Sequence, residues 1–384
     1  MYLFENKARD ILSQFRMTFP RWFVASNEDE AVNAAIEISK KVEIEPLILT
    51  DQRDFKTANN PDEAKEITKS LLGQEIEEQK VQRVIIQEYI ESSDEVYAYV
   101  SIDRYEEKPM VFLSKYDMEN IYSSRFLQSK NIPFKHFTIP QGLLQFETRE
   151  LAKAAEMKKG QIASVGGLLW NLHRIWMKYD IEVIGAVPIV FVEGKPVIKK
   201  VSVRIDEDAA FRHKELKLEE EIDELQSDRE KTMEGMGTPY IELKGDVGMI
   251  VAGSGMGIAA NDVVTLYGQE PANMSDIGGG PKQERVAALV EEVLKNPLVN
   301  KVLVYYFGGI SLCDVFAKGL LTALEKCDKP KPIVIKLAGT NQKEGHDIIK
   351  RALAENPRMG EFVKSLHGED YTIDQLAKGV AEFT

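Results

Sequence analysis

The sequence predicts an α/β chain in two parts: an α+β half built on antiparallel strands, then a half built on a parallel, doubly wound sheet. Three observations carry this expectation. The runs "VGMIVA", "VNKVLVYYF" and "KPIVIKLAG" are continuous apolar strands, each followed by a helical pattern, as befits strands covered on both faces. The first half instead offers "RVIIQEYI", "VYAYVSID" and "MVFLSKY", β-rich runs separated by the polar turns "ESSDE" and "RYEEKP", which read as an antiparallel meander. Between the halves, "KELKLEEEIDELQSDREKTM" is a highly charged helical connector. It puts the domain boundary near 235–240 and gives domains 1–237 and 238–384.

Taken in order, Leu3, Ala8, Ile11, Leu12 and Phe15 share one helical face, and Pro20 stops that helix before the strand "WFVAS". Asn27 caps the helix "EDEAVNAAIEISKKV". A buried strand "PLILT" follows, then an Asn-Asn-Pro turn, with Asp62 opening a helix that runs through Leu72. After the meander, residues 150–178 form a helical block broken near Gly166 and Gly167. A hairpin then turns at Glu193-Gly194-Lys195.

Composition limits the function. With 384 residues, 43% hydrophobic and 29% charged, the chain is a soluble globular protein of more than one core. A formal charge of −13 argues against nucleic acid and anionic membrane surfaces as partners. The N-terminus "MYLFENKARDILSQF" has no apolar export segment, and no run approaches the ~18 apolar residues of a spanning helix. Cys313 and Cys327 are too few for a disulfide framework and lie in no Cys-x-x-Cys, so a cytoplasmic location is expected. His136, His173, His213, His346 and His367 are dispersed without metal-ligand spacing, and no metal site is expected. Cys313, on an apolar helix, reads as core, Asp314 as the cap of that helix, and Trp170 and Trp176 as packing residues.

In an open parallel sheet, ligands bind where strand ends turn into helices. Three such turns are glycine-rich: Gly253, Gly255 and Gly257 after "VGMIVA"; Gly278, Gly279 and Gly280 in "SDIGGGPKQERV"; Gly308 and Gly309 after "VLVYYF". Glycine admits close backbone approach, and helix N-termini present unpaired N–H groups to an anion. A carboxylate or phosphate pocket is the expectation. No acidic residue follows the first turn at dinucleotide-ribose spacing, and no P-loop pattern occurs.

The stretch from "GDVGMIVAGSGMGIAANDVV" through "EPANMSDIGGG" to "NKVLVYYFGGISLCDVFAKGLL" closely resembles the ligase domain of the succinyl-CoA synthetase β subunit, whose superfamily includes ATP citrate lyase. "FPRWFVAS" and "RVIIQEYIESSDEVYAYVSIDR" are similar to parts of that family's ATP-grasp domain. The resemblance implies an ATP-grasp-like N-terminal domain and a flavodoxin-like C-terminal ligase domain. It further implies an α-type, CoA-binding partner subunit that carries the catalytic histidine, a hetero-oligomer, and a small carboxylic acid as substrate. In that scheme CoA thioester chemistry reaches this chain through the partner, and no catalytic residue lies in the chain itself. Carried over, Gly253, Ser254 and Gly255 would border the phosphohistidine's phosphate, and Gly308, Gly309 and Ile310 would offer N–H groups to the carboxylate. Ala252 stands where succinate enzymes have Asn and where ATP citrate lyases also have Ala.

The same resemblance exposes departures. Thr50 ends "PLILT" where the family has Lys, and "DQRDFKTANN" has no glycine where the family's phosphate loop is glycine-rich; Arg53 and Lys56 are the nearby cations. Gly185-Ala186-Val187-Pro188-Ile189 stands where the family reads Glu-Ile-Asn-Pro-Leu, and Lys199 or Lys200 where it places a metal-binding Asp. Glu88 and Glu95 are the remaining candidate nucleotide contacts. The expectation is therefore a degenerate ATP-grasp domain for which MgATP is doubtful. Two alternatives stay open: a noncatalytic structural or regulatory paralogue, and an ATP-dependent succinate or citrate ligase subunit with a rewired nucleotide site.

Overall fold

The computed structural model describes residues 1–49, 55–76, 79–91, 94–118, 123–218, 226–368 and 370–382. Two compact units divide the chain, Met1–Glu221 and Ile222–Thr384. Thr50 and Arg53, singled out in the sequence, lie outside the described residues.

The first unit contains two antiparallel sheets. One has the order Trp22–Ala25, Val84–Glu88, Val42–Pro46, Lys56–Ala58 and packs the apolar sides of helices Glu28–Ile38 and Pro61–Leu71. Asn27 and Asn60 cap those helices by accepting the N–H groups of Glu30 and Glu63, so the second helix starts at Asn60-Pro61 rather than at Asp62. The other sheet has the order Lys195–Ile198, Ile181–Val192, Val96–Asp103, Lys108–Ser114, Phe134–His136, with Val201–Ile205 also on Ile181–Val192. Its core takes in Ala8, Ile11 and Leu12 of helix Glu5–Ser13 and Leu168, Leu169, Leu172 and Ile175 of helix Ile162–Lys178.

Several expectations are corrected here. Val84–Glu88 does not continue into a meander, because it pairs with Trp22–Ala25 and Val42–Pro46 in the first sheet. The buried strand is Val42–Pro46 rather than "PLILT"; Glu43 and Glu45 lie inside and disguise it as polar. Helix Ile162–Lys178 runs unbroken through Gly166 and Gly167. A side chain at Gly166 would lie 2.7 Å from Arg149 Cγ and 3.1 Å from Arg149 Cα, so that glycine serves a close helix crossing. The connector is not one helix: a short 3-10 turn ends at Lys217 in a left-handed conformation, and a new helix, Asp228–Gly235, starts from a Ser227 capping box.

In the second unit Val247–Val251, Lys301–Gly308, Ile333–Gly339 and Val363–His367 form one parallel sheet in that order. Helices Gln283–Lys295 and Cys313–Glu325 bury Val286, Val290, Phe316 and Leu320 in one core, while Ala260, Val264, Leu376 and Val380 of helices Ser254–Leu266 and Ile373–Ala381 fill another. The sheet is therefore doubly wound, as its continuous apolar strands predict. The fourth strand, "VKSLH", was not foreseen, since Lys364 and Ser365 interrupt the apolar run. Beside the sheet, Tyr240–Glu242 pairs with Asn273–Ser275. No helix of the described residues is long and apolar enough to cross a membrane.

Candidate anion site at the glycine turns

The carboxyl ends of the parallel strands in the second unit carry the glycine turns. Gly253 has φ +96°, a conformation that few side-chain-bearing residues adopt, and it ends strand Val247–Val251 so abruptly that Ser254 already starts a helix. With no side chain of its own to cap that helix, the chain supplies a carboxylate from another turn. Asp276 Oδ1 accepts the Gly253 N–H at 2.7 Å and the Gly278 N–H at 2.9 Å, and Oδ2 accepts the Ser254 hydroxyl at 2.6 Å. Burial pushes the Asp276 carboxyl up, but the hydrogen bonds from Ser254, Gly278 and Gly253 outweigh it and hold it below the usual carboxylate range.

The Asp276 segment is seated by its neighbours. Asn273 imitates a strand partner, taking the Met249 N–H at 2.9 Å and donating to the Met249 carbonyl at 2.7 Å, and the Ile277 N–H reaches the Val251 carbonyl at 3.2 Å. The third turn is braced in the same manner. Ser311 Oγ accepts the Gly280 N–H at 2.9 Å, Thr340 donates its hydroxyl to the Gly309 carbonyl at 2.9 Å, and the Thr340 N–H reaches the Gly308 carbonyl at 2.7 Å. Asp276, Ser311 and Thr340 thus join four successive turns side by side. A side chain at Gly339 would lie 2.3 Å from the Gly308 carbonyl oxygen, so the third and fourth turns touch through backbone.

The sequence-expected groups fall in different states. Gly253 and Ser254 have donors engaged by Asp276, whereas Asp276 takes nothing from Gly255 or Met256, whose first-turn amides have no intrahelical acceptor. Gly308 is buried at the end of its strand, Gly309 donates to the Phe307 carbonyl at 3.2 Å, and Ile310 is 88% exposed. Cys313 is fully buried with its thiol 3.3 Å from the Ala338 carbonyl, and burial pushes its pKa up, the reverse of a reactive thiolate. Asp314 does not cap its helix. It lies in the first turn, accepts from Asn341 at 2.9 Å and pairs with Lys318 at 3.2 Å.

Glu88 and Glu95, in the first unit, have different neighbours. Glu88 pairs with Lys40, while Glu95 lines a cleft of about 620 Å³ with Asp94, Tyr97, Lys115, Glu156 and Lys158. Burial, then the Glu95 charge, pushes the Tyr97 hydroxyl up to about 12. Deeper in this unit, Lys199 Nζ meets Glu43 at 2.8 Å, Gln87 donates to the same Glu43 at 2.9 Å, and Arg9 bonds Glu5, Gln87 and the Lys199 carbonyl at 2.6, 2.7 and 2.8 Å. No cluster of three or more metal-ligating side chains occurs among the described residues.

Sequence reasoning missed Asp276, Ser311 and Thr340. Only the placement of Asp276 two residues before Gly278, an Asx-turn spacing, was there to be read.

Family models described as ATP-grasp domain and CoA-ligase match residues 2–191 and 250–356. The β subunit of succinate–CoA ligase (ADP-forming) from Natronomonas pharaonis is 34% identical over 362 residues, 92% of this chain and 94% of that one. The chain belongs to the succinate–CoA ligase β-subunit family. Its N-terminal half is accordingly an ATP-grasp domain and its parallel-sheet half a CoA-ligase domain. Another family member, subunit beta 2 from Archaeoglobus fulgidus, is 31% identical over 363 residues, 94% of this chain and 95% of that one. Among solved structures, ATP citrate lyase from Methanothrix soehngenii in complex with citrate and coenzyme A shares the fold: TM-score 0.75 at 17% identity, covering 99% of both chains.

Proposed function

We propose that this chain is the β-type subunit of a carboxylate–CoA ligase complex, working with an α-type, CoA-binding subunit that carries the phosphorylated histidine. The observation that carries the reading is the set of braced glycine turns, which holds orphan amides of a helix N-terminus beside Gly309 and the exposed Ile310. Such amides suit a carboxylate or phosphate, because they offer fixed dipoles with unpaired N–H groups. This chain's own part is to bind and orient the acid and to face the partner's phosphohistidine; CoA supplies the thiol that accepts the acyl group.

A nucleotide-bound Mg²⁺ does not fit the described residues of the ATP-grasp domain. Lys199 or Lys200 stands where the resemblance implies a metal-binding carboxylate, and the Lys199 ammonium is neutralised by Glu43. Glu88 is engaged by Lys40 outside the cleft that Glu95 lines. On this reading the ATP-grasp domain of this chain does not itself hold MgATP.

The test is exchange of labelled succinate or citrate into the matching CoA thioester, with inorganic phosphate, by the assembled complex. Gly309→Val adds bulk where nothing lies within 4 Å of a new Cβ, so folding and assembly are expected to survive while exchange is lost. Unchanged exchange refutes the site. Calorimetric titration with MgATP checks the nucleotide reading, for which binding at micromolar Kd, about −8 kcal/mol, is the refuting result.

A further inference from the structure

We propose that Asp276 is a positioning residue of the anion site, a carboxylate that locks the first and second glycine turns together so that the Gly255 and Met256 amides face the incoming anion. The inference rests on the reading of these turns as the carboxylate and phosphate site.

The need for such a residue follows from the turns themselves. Gly253 and Gly278 carry no side chains and both have positive φ, +96° and +74°, so local sequence leaves the direction of their amides loosely defined. A donor offered to a substrate must be fixed before the substrate arrives, or binding energy is consumed in ordering it. Asp276 fixes two turns at once, because one oxygen takes an amide from each while the other oxygen takes the Ser254 hydroxyl. Asn273 and Ser275 in turn hold the segment to the first strand through Met249, with the Ser275 hydroxyl 2.8 Å from the Met249 carbonyl. The assignment also sorts the site's donors. Gly253 N–H and the Ser254 hydroxyl are engaged internally, which leaves the next two amides of the helix for the ligand.

The carboxylate is suited to three donors in a way an amide is not. An asparagine keeps one oxygen for the two amides but turns an NH₂ toward Ser254, which must rotate to accept. Removal of the side chain frees both turns. Asp276→Ala is therefore expected to raise KM for inorganic phosphate at least tenfold, with smaller change in kcat, and Asp276→Asn to fall between it and the unaltered chain.

The experiment measures KM for inorganic phosphate and kcat in the CoA-thioester exchange of labelled succinate and of labelled citrate, using full-length chain assembled with its α-type partner. Asp276→Asn, Asp276→Ala and Gly309→Val are compared, with assembly and Tm recorded for each. The graded KM rise supports the proposal. A fall in Tm with KM unchanged means that Asp276 only caps a helix, and overturns it. Unaltered KM in Asp276→Ala beside an inactive Gly309→Val overturns the positioning role alone. Unaltered exchange in Gly309→Val, or no exchange by the unaltered complex, overturns the reading beneath and the proposal with it. Should Asp276→Ala not assemble, the isosteric Asp276→Asn decides: raised KM supports positioning, unchanged KM refutes it.

Discussion

The two units solve the same electrostatic problem in opposite ways. In the first, buried charge is answered by side chains: Glu5, Arg9, Gln87, Glu43 and Lys199 form a closed network in which each charged group meets an opposite one. In the second, the polar centre is backbone. Glycine amides gather at strand ends, and Asp276, Ser311 and Thr340 bond only part of what is there. The network matches its charges among its own side chains, whereas the turns keep first-turn amides in reserve. Closed networks contribute to a unique fold; open ones are where chemistry can enter.

The sharpest way to break this comparison is to open the closed network. Arg9→Ala removes a fully buried guanidinium and strands Glu5, and a loss of about 3–5 kcal/mol is expected, read by urea unfolding. Lys199→Met should be costly for the same reason, and adding Glu43→Gln should restore part of the loss, as a double-mutant cycle would reveal. Additive losses would mean that the pair is not coupled.

Next in size are glycine substitutions that separate architecture from site. Gly339→Ala meets both a φ of +101° and the Gly308 carbonyl, so destabilisation of about 1–3 kcal/mol is expected in thermal unfolding. Gly309→Ala, with open space around it, should change stability by less than about 0.5 kcal/mol while still weakening exchange.

Smaller again is the acid response, which also differs between units. Burial holds the His173 imidazole below its ordinary value, and its Nε2 accepts the Leu143 N–H at 3.1 Å, so the folded state favours the neutral ring. Its contribution is present above the unfolded value of about 6.5 and is lost as pH falls below it. Asp276 is likewise depressed, so its contribution persists until pH falls below the ordinary aspartate range. Mild acid should therefore weaken the first unit before the second. His173→Gln should remove that early loss, and an unchanged pH profile in the variant would reassign it. Smallest of all, the exposed Lys40 and Glu88 pair should be worth no more than about 1 kcal/mol when Lys40→Ala is measured.

Legibility in the sequence followed the range of the interactions. Strands Val247–Val251, Lys301–Gly308 and Ile333–Gly339 announced themselves because burial on both faces demands uninterrupted apolar residues. The two-residue hairpin at Glu193 and Gly194 did so because adjacent positive φ values demand such residues. Val84–Glu88 was assigned to the wrong partners, since its pairing with Val42–Pro46 spans forty residues of chain with no local signal. Val42–Pro46 itself was hidden by glutamates that are buried only because Lys199 and Gln87 come from elsewhere to meet one of them.

The sequence by itself determined the doubly wound half and the positions of the glycine turns, because periodicity and the absence of Cβ atoms are local properties. Only the tertiary structure decided which of their donors are engaged. Asp276 lies more than twenty residues from Gly253 and Ser254 along the chain, and the bonds of Asn273, Ser275 and Ile277 to Met249 and Val251 bring its carboxylate to their donors.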